Sequence, residues 1–150
     1  MSDKVFIDSN IIVYAYDSHE PAKQTKAQAL LTSAIKEESA MLSVQVLGEF
    51  FVVVTRRIKN PLSVDEAEKI VNILATLPVS EIDLSLVRRA IETQKEYGIS
   101  YWDSLIISTA KRAGCTKVLS EDLNEGQIYN NVLVENPFNL IEGDSVPEQK

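Results

Sequence analysis

The chain has 150 residues, 45% hydrophobic and 25% charged, a balance that excludes disorder over most of its length and supplies enough chain for one real core. With 22 acidic against 15 basic residues the formal net charge is −7, which argues against holding nucleic acid by bulk charge. A single cysteine, Cys115, and a single histidine, His19, exclude a disulfide framework, a multi-cysteine zinc centre and a His-rich metal site.

In chain order, short apolar runs alternate with longer periodic ones. Residues 4–8 (KVFID) predict a first strand, followed by a helix over 10–16 and a longer helix over 21–38, for which Pro21 suits the first helical position. A second strand at 40–44 leads into helices over 45–59 and 63–77, the latter opened by Ser63 and Glu66 at capping-box spacing. A third strand is expected at 79–82, then helices over 84–97 and 102–113, with Gly98 and Gly114 where C′ glycines belong, and last the strands 117–120 and 131–135. Alternating strands and helices imply parallel pairing in a helix-covered sheet, an α/β sandwich. Residues 142–150, EGDSVPEQK, read as a polar tail carrying −2, which leaves residues 1–141 as one domain. The opening MSDKVFIDSN has no basic start followed by a long apolar run. No stretch approaches the roughly 18 apolar residues of a membrane span, so a cytoplasmic protein with no signal peptide is expected.

Four carboxylates carry the functional reading. Asp8 closes the first strand and precedes Ser9-Asn10, at the carboxyl edge where open parallel sheets bind ligands; it also suits a helix N-cap. Asp122 repeats the arrangement after Val118-Leu119-Ser120, with an ordinary polar turn as the alternative. Glu49 shares a helix side with Val46, Val52 and Val53, a costly place for a carboxylate unless Arg56, another arginine or a cation pairs with it. Asp103 opens the sixth helix in YWDSLIIST, where capping would also place an acid. Only Asp8 has a lysine, Lys4, within four residues. Like charges gathered by a fold must protonate or share a counter-ion, and oxygen donors without His or Cys select Mg²⁺ or Mn²⁺. Carboxylates holding such ions are standard equipment for phosphodiester hydrolysis.

In order, the segments FIDSNIIVYAYD, QVLGEFFVV, YWDSLIISTA, VLSEDLNEG and NVLVENPF resemble the successive motifs of the PIN domain family, most closely the VapC-type toxins of type II toxin–antitoxin pairs. The likeness runs over residues 4–141. It implies a three-layer α/β/α sandwich with a short parallel sheet in which the first and fourth strands are neighbours. It places the family's four acids on Asp8, Glu49, Asp103 and Asp122, and puts Asn124 where many relatives carry a fifth. The activity implied is a Mg²⁺- or Mn²⁺-dependent endoribonuclease. Asp8 and Asp103 would hold the ion, Asp122 would ligate it or a second one, and Glu49 would orient or deprotonate the attacking water. Ser9, Asn10 and Ser120 would position carboxylates or phosphate. The partners implied are an RNA substrate, a cognate antitoxin and a second copy of the chain.

Other residues read as follows. Arg56 could reach an RNA phosphate from the side of Glu49. His19 belongs to a surface turn and Cys115 to the core. Tyr14, Tyr16, Phe50 and Phe51 are expected in the core or a dimer interface, Tyr101-Trp102 as a hydrophobic staple or core, and Gly48 where helices approach closely. Phosphatases of the haloacid dehalogenase type need a second acid where Asn10 stands, and receiver domains need adjacent acids where Asp8-Ser9 stands. The remaining alternatives keep the PIN fold, as an RNA-processing nuclease or an inactive binding scaffold. The four acids carry −4 of the −7 and the tail −2, so the surface left over is near neutral.

Overall fold

A computed structural model describes residues 4–139. The elements run β1 (Val5–Ile7), α1 (Ser9–Tyr14), α2 (Pro21–Glu37), β2 (Ala40–Ser43), α3 (Val44–Arg56), α4 (Val64–Leu74), β3 (Val79–Ser80), α5 (Leu84–Tyr97), α6 (Tyr101–Arg112), β4 (Lys117–Leu119), β5 (Ile128–Tyr129) and β6 (Val132–Glu135). The sheet order is β3-β2-β1-β4-β6-β5, so the first and fourth strands are neighbours as the resemblance implied. All pairings are parallel except β5 with β6. This is the expected α/β class with a mostly parallel sheet.

Local chemistry explains most boundaries. The Ser63 hydroxyl accepts from Glu66 N while the Glu66 carboxylate accepts from Ser63 N, completing the capping box, and Pro21 occupies the first turn of α2. Gly98 ends α5 at φ 71°, a left-handed conformation that costs glycine nothing. Strand β5 is a departure from expectation. Asn130 and Asn131 have φ of 52° and 67°, and Asn tolerates this region, so they turn the chain into an antiparallel hairpin instead of opening the last strand. The expected tail at 142–150 lies outside the described residues.

One main core joins sheet and helices through Phe6, Ile11, Leu42, Phe50, Val118 and Phe138, all at most 1% exposed. A smaller cluster of Leu86, Ala90 and Leu105 packs α5 on α6. Ser104 through Ala110 of α6 are all buried, and three of the hydroxyls there are satisfied: Ser104 donates to Ser100 O, Thr109 to Leu105 O, and Ser108 shares a hydrogen bond with Thr93. Helix α1 packs on both α2 and α3, and α3 on α4. Gly48 does not serve close packing, because it is exposed and a Cβ built there meets nothing within 4 Å.

Candidate active site

The central strands carry the site. Ladder pairs between β1 and β4 end at Ile7 with Leu119, so one step beyond, Asp8 lies opposite Ser120. Asp8 N donates to Leu119 O at 3.0 Å, which prolongs the seam. Asp8 is also the N-cap of α1: its Oδ1 accepts from Ser9 N at 2.7 Å. Capping and site geometry therefore coexist in one side chain. Its Oδ2 accepts from the Ser120 hydroxyl at 2.7 Å and from Asn10 Nδ2 at 3.4 Å. Asp8 is 5% exposed. Burial pushes its carboxyl up to about 6, against the opposing pull of the Ser120 and Ser9 hydrogen bonds, and the charges of Glu49 and Asp122 push it in the same direction as burial.

Ser120 and Asn10 organise the loop that bears Asp122. The fully buried Ser120 Oγ accepts from Asp122 N at 3.2 Å and Leu123 N at 3.4 Å, and Glu121 N donates to Asn10 Oδ1 at 3.1 Å. Asp122 is exposed and repels both Asp8 and Asp103. Asn124 turns away to donate to the Tyr129 hydroxyl at 3.5 Å.

Glu49 is reached through helix α3, which starts on Ser43, whose hydroxyl accepts from Val46 N. The Glu49 carboxylate accepts from Ser9 Oγ at 3.0 Å and from Gln45 Nε2 at 3.2 Å. No ion pair with Arg56 forms; that arginine is exposed at the last turn of α3. Asp103 lies in the first turn of α6, half-buried, with its N–H donating to Ser100 Oγ at 3.0 Å. Burial raises its pKa, the Ser100 hydroxyl lowers it and the charge of Asp122 adds to the rise.

Ser9 thus joins Glu49 to Asp8, Ser120 joins Asp8 to Asp122, and the charge of Asp122 acts on Asp103. Among the described residues none of these four acids is in an ion pair. Among the same residues no three His, Cys, Asp or Glu side chains are gathered tightly enough to enclose one ion. Mutually repelling carboxylates without a lysine or arginine partner still fit a hard divalent cation, because Mg²⁺ is commonly held by one or two carboxylates and completes its shell with water and substrate phosphate.

Gln45, the polar flank of Glu49 one helical turn before it, and the Tyr14–Lys23 pair make further contacts that the sequence does not reveal. Gln45 donates to Glu49 and to the Trp102 carbonyl at 3.4 Å, joining α3 to α6, while its own Oε1 is buried without a hydrogen-bond partner. Tyr14 donates to Glu121 at 2.6 Å, and Lys23 pairs with the other Glu121 oxygen at 2.5 Å while lying 4.8 Å from the Tyr14 ring centre. Burial, and then Glu121, raise the Tyr14 pKa. Tyr14 packs against the core as expected, edge-to-face with Phe138, and its hydroxyl also ties down Glu121, the neighbour of Asp122; no local signal joins residues so far apart. A cavity of about 750 Å³ opens elsewhere, lined by Arg88, Thr93, Ser108, Lys111 and Asn130 among others, and contains none of the four acids.

Residues 5–128 match the family described as PIN domain. The chain belongs to the PIN domain family. A relative of this PIN domain, Ribonuclease VapC1 of Aquifex aeolicus (strain VF5), is 25% identical over 121 residues, which cover 81% of this chain and 83% of the relative. Among solved structures it is similar to Mycobacterium tuberculosis VapC20, described as a Sarcin-Ricin loop cleaving toxin, with TM-score 0.63, 20% identity, and 79% and 90% of the two chains covered. It is also similar to a toxin–antitoxin complex from Klebsiella pneumoniae, with TM-score 0.66, 14% identity, and 89% and 98% covered. At these identities the two structures establish the shared fold. No described helix is long and apolar enough to cross a membrane.

Proposed function

We propose that this PIN domain is a Mg²⁺- or Mn²⁺-dependent endoribonuclease, the toxin of a toxin–antitoxin pair. The observation that carries the reading is the set of four acids linked through Ser9, Ser120 and the charge of Asp122, one of them nearly fully buried, with no cationic partner among the described residues. The similarity to a ribonuclease and to toxins supports RNA as the substrate.

Asp8 and Asp103 would hold the ion and Asp122 a second one, and a bound divalent ion lowers the pKa of water and neutralises charge on the transferring phosphoryl group. Glu49 is the general base: it takes a proton from the attacking water as that oxygen bonds to phosphorus and the bond to the leaving ribose oxygen breaks. Ser9 and Gln45 bind its two oxygens and aim it. Ser120 and Ser9 N–H favour the ionised form of Asp8, opposing the cost of its burial. Arg56, exposed on the helix that carries Glu49, is free to meet an RNA phosphate. The natural setting is the cytoplasm, with a cognate antitoxin that silences the site and a second copy forming a homodimer.

The test is cleavage of RNA by purified protein. Asp8→Asn and Asp103→Asn should keep the fold and lose metal-dependent cleavage; undiminished cleavage by both sinks the assignment. Induced expression without a partner should arrest growth, and harmless accumulation of active, folded protein would remove the toxin role while leaving the nuclease chemistry.

A further inference from the structure

Trp102 is the chain's single tryptophan, and it is 60% exposed although Ser104 through Ala110, in the same helix, are all buried. Tyr101 packs against the Leu86, Ala90 and Leu105 cluster as expected, but Trp102 is uncovered, so for it the structure overturns both the staple and the core expectation. The indole is braced edge-to-face by Tyr101, with ring centres 4.9 Å apart and planes at 77°. Among the described residues no lysine or arginine lies over it; the cation–π contacts there belong to Lys23. Its main chain is tied to the site, because the Gln45 amide that donates to Glu49 also donates to the Trp102 carbonyl. Asp103 is the next residue. Val44, next to Gln45 in α3, is 40% exposed, so the first turns of α3 and α6 both present apolar surface beside the carboxylates.

An exposed, braced aromatic residue next in the chain to Asp103, its carbonyl held by the glutamine that also binds Glu49, suits a ligand with a flat π face joined to a phosphate. We propose that Trp102 is the platform on which an unpaired base of the RNA, adjacent to the scissile phosphate, stacks. This rests on the ribonuclease reading above and adds to it a specificity. Stacking accepts any base but requires it to be free of a helix, so the platform favours single strands and loops over duplex. The phosphate attached to the stacked base is then held near Asp103 and Glu49, which makes Trp102 a substrate-positioning residue.

The Asp8→Asn variant, in which cleavage is switched off, provides the test. A short single-stranded RNA carrying a terminal fluorophore is titrated against it in Mg²⁺ and binding is read by anisotropy. The emission of the one tryptophan is followed in parallel with unlabelled RNA. The expected result is quenching of the indole with the same midpoint as the anisotropy change. Trp102→Ala in the same background should weaken binding by roughly 5- to 150-fold, and Trp102→Phe should restore most of it. A duplex of the same sequence should neither quench the indole nor depend on Trp102. RNA that binds without altering the emission, and equally well to Trp102→Ala, overturns the platform and leaves the ribonuclease reading standing. Absence of both RNA binding and wild-type cleavage overturns the two together. Emission that responds to protein dilution and ignores RNA assigns the indole to contact between copies and overturns the platform.

Discussion

The Ser120 hydroxyl donates to Asp8 Oδ2 at 2.7 Å across the seam between β1 and β4, joining two residues 112 positions apart. Both are at most 5% exposed. The same oxygen receives the N–H groups of Asp122 and Leu123, so one buried hydroxyl both opposes the effect of burial on one acid and holds the loop of another.

Ser120→Ala removes that donor. A hydrogen bond to the ionised form lowers a carboxyl pKa, so its loss raises the Asp8 pKa further above about 6. The acid limb of the cleavage-rate profile, measured at limiting Mg²⁺, should move to higher pH. Stability should fall by about 1–3 kcal/mol, because buried partners lose their hydrogen bonds; urea melts give that number.

Asp8 should also make the metal-free fold pH-sensitive. Its folded pKa, about 6, lies above the ordinary 3.8, so the native state binds the proton more tightly than the unfolded chain. The stabilisation is fully present below pH 3.8 and is lost as pH rises through about 6, a change of at most about 3 kcal/mol. Asp8→Asn should flatten this dependence in urea denaturation and be the more stable protein above neutrality in the absence of metal. Added Mg²⁺ should raise the melting temperature of the wild type and leave that of Asp8→Asn nearly unchanged.

Glu49→Gln should lower the cleavage rate by about 10²–10⁴-fold, the usual contribution of a general base, with little loss of RNA affinity. Gln45→Ala should lower kcat by less and leave KM alone, since it removes one of the two donors that aim the carboxylate. Single-turnover kinetics separate the two effects.

Lys23→Met removes the partner of Glu121. The pair is only about a quarter exposed, at 27% and 24%, so a stability cost of about 1 kcal/mol is expected by thermal or urea unfolding. Cleavage should slow as well, because Glu121 precedes Asp122 in the loop that Tyr14 and Lys23 brace.

Periodicity and caps made the architecture legible, because each signal is local. Ser63 with Glu66, Pro21 and Gly98 act within one helical turn, and the order of apolar runs implied the parallel sheet. The candidate acids are less local: Asp8, Asp103 and Asp122 each suit a cap or a turn taken alone, and the order of the motifs that resemble the PIN family is what singles out the four. Less legible were features that depend on distant pairing or on exposure. The Asn130-Asn131 turn lay hidden at the start of an expected strand, and β5 with it. The Tyr14, Lys23 and Glu121 contacts join three elements without a sequence pattern. Trp102 resembled a core residue by type, and only its 60% exposure separates it from one. In the proposed reading the opening charge of −7 also changes meaning, since four of its acids belong to a site whose charge a divalent ion would neutralise.

The most direct test of the central claim is cleavage of RNA by the purified chain as free Mg²⁺ is titrated from zero under chelator. The carboxylate account predicts no cleavage in chelator, recovery with Mg²⁺ or Mn²⁺, and no recovery in Asp8→Asn or Asp103→Asn. Cleavage that proceeds unchanged in chelator, or that survives in both variants, would contradict it.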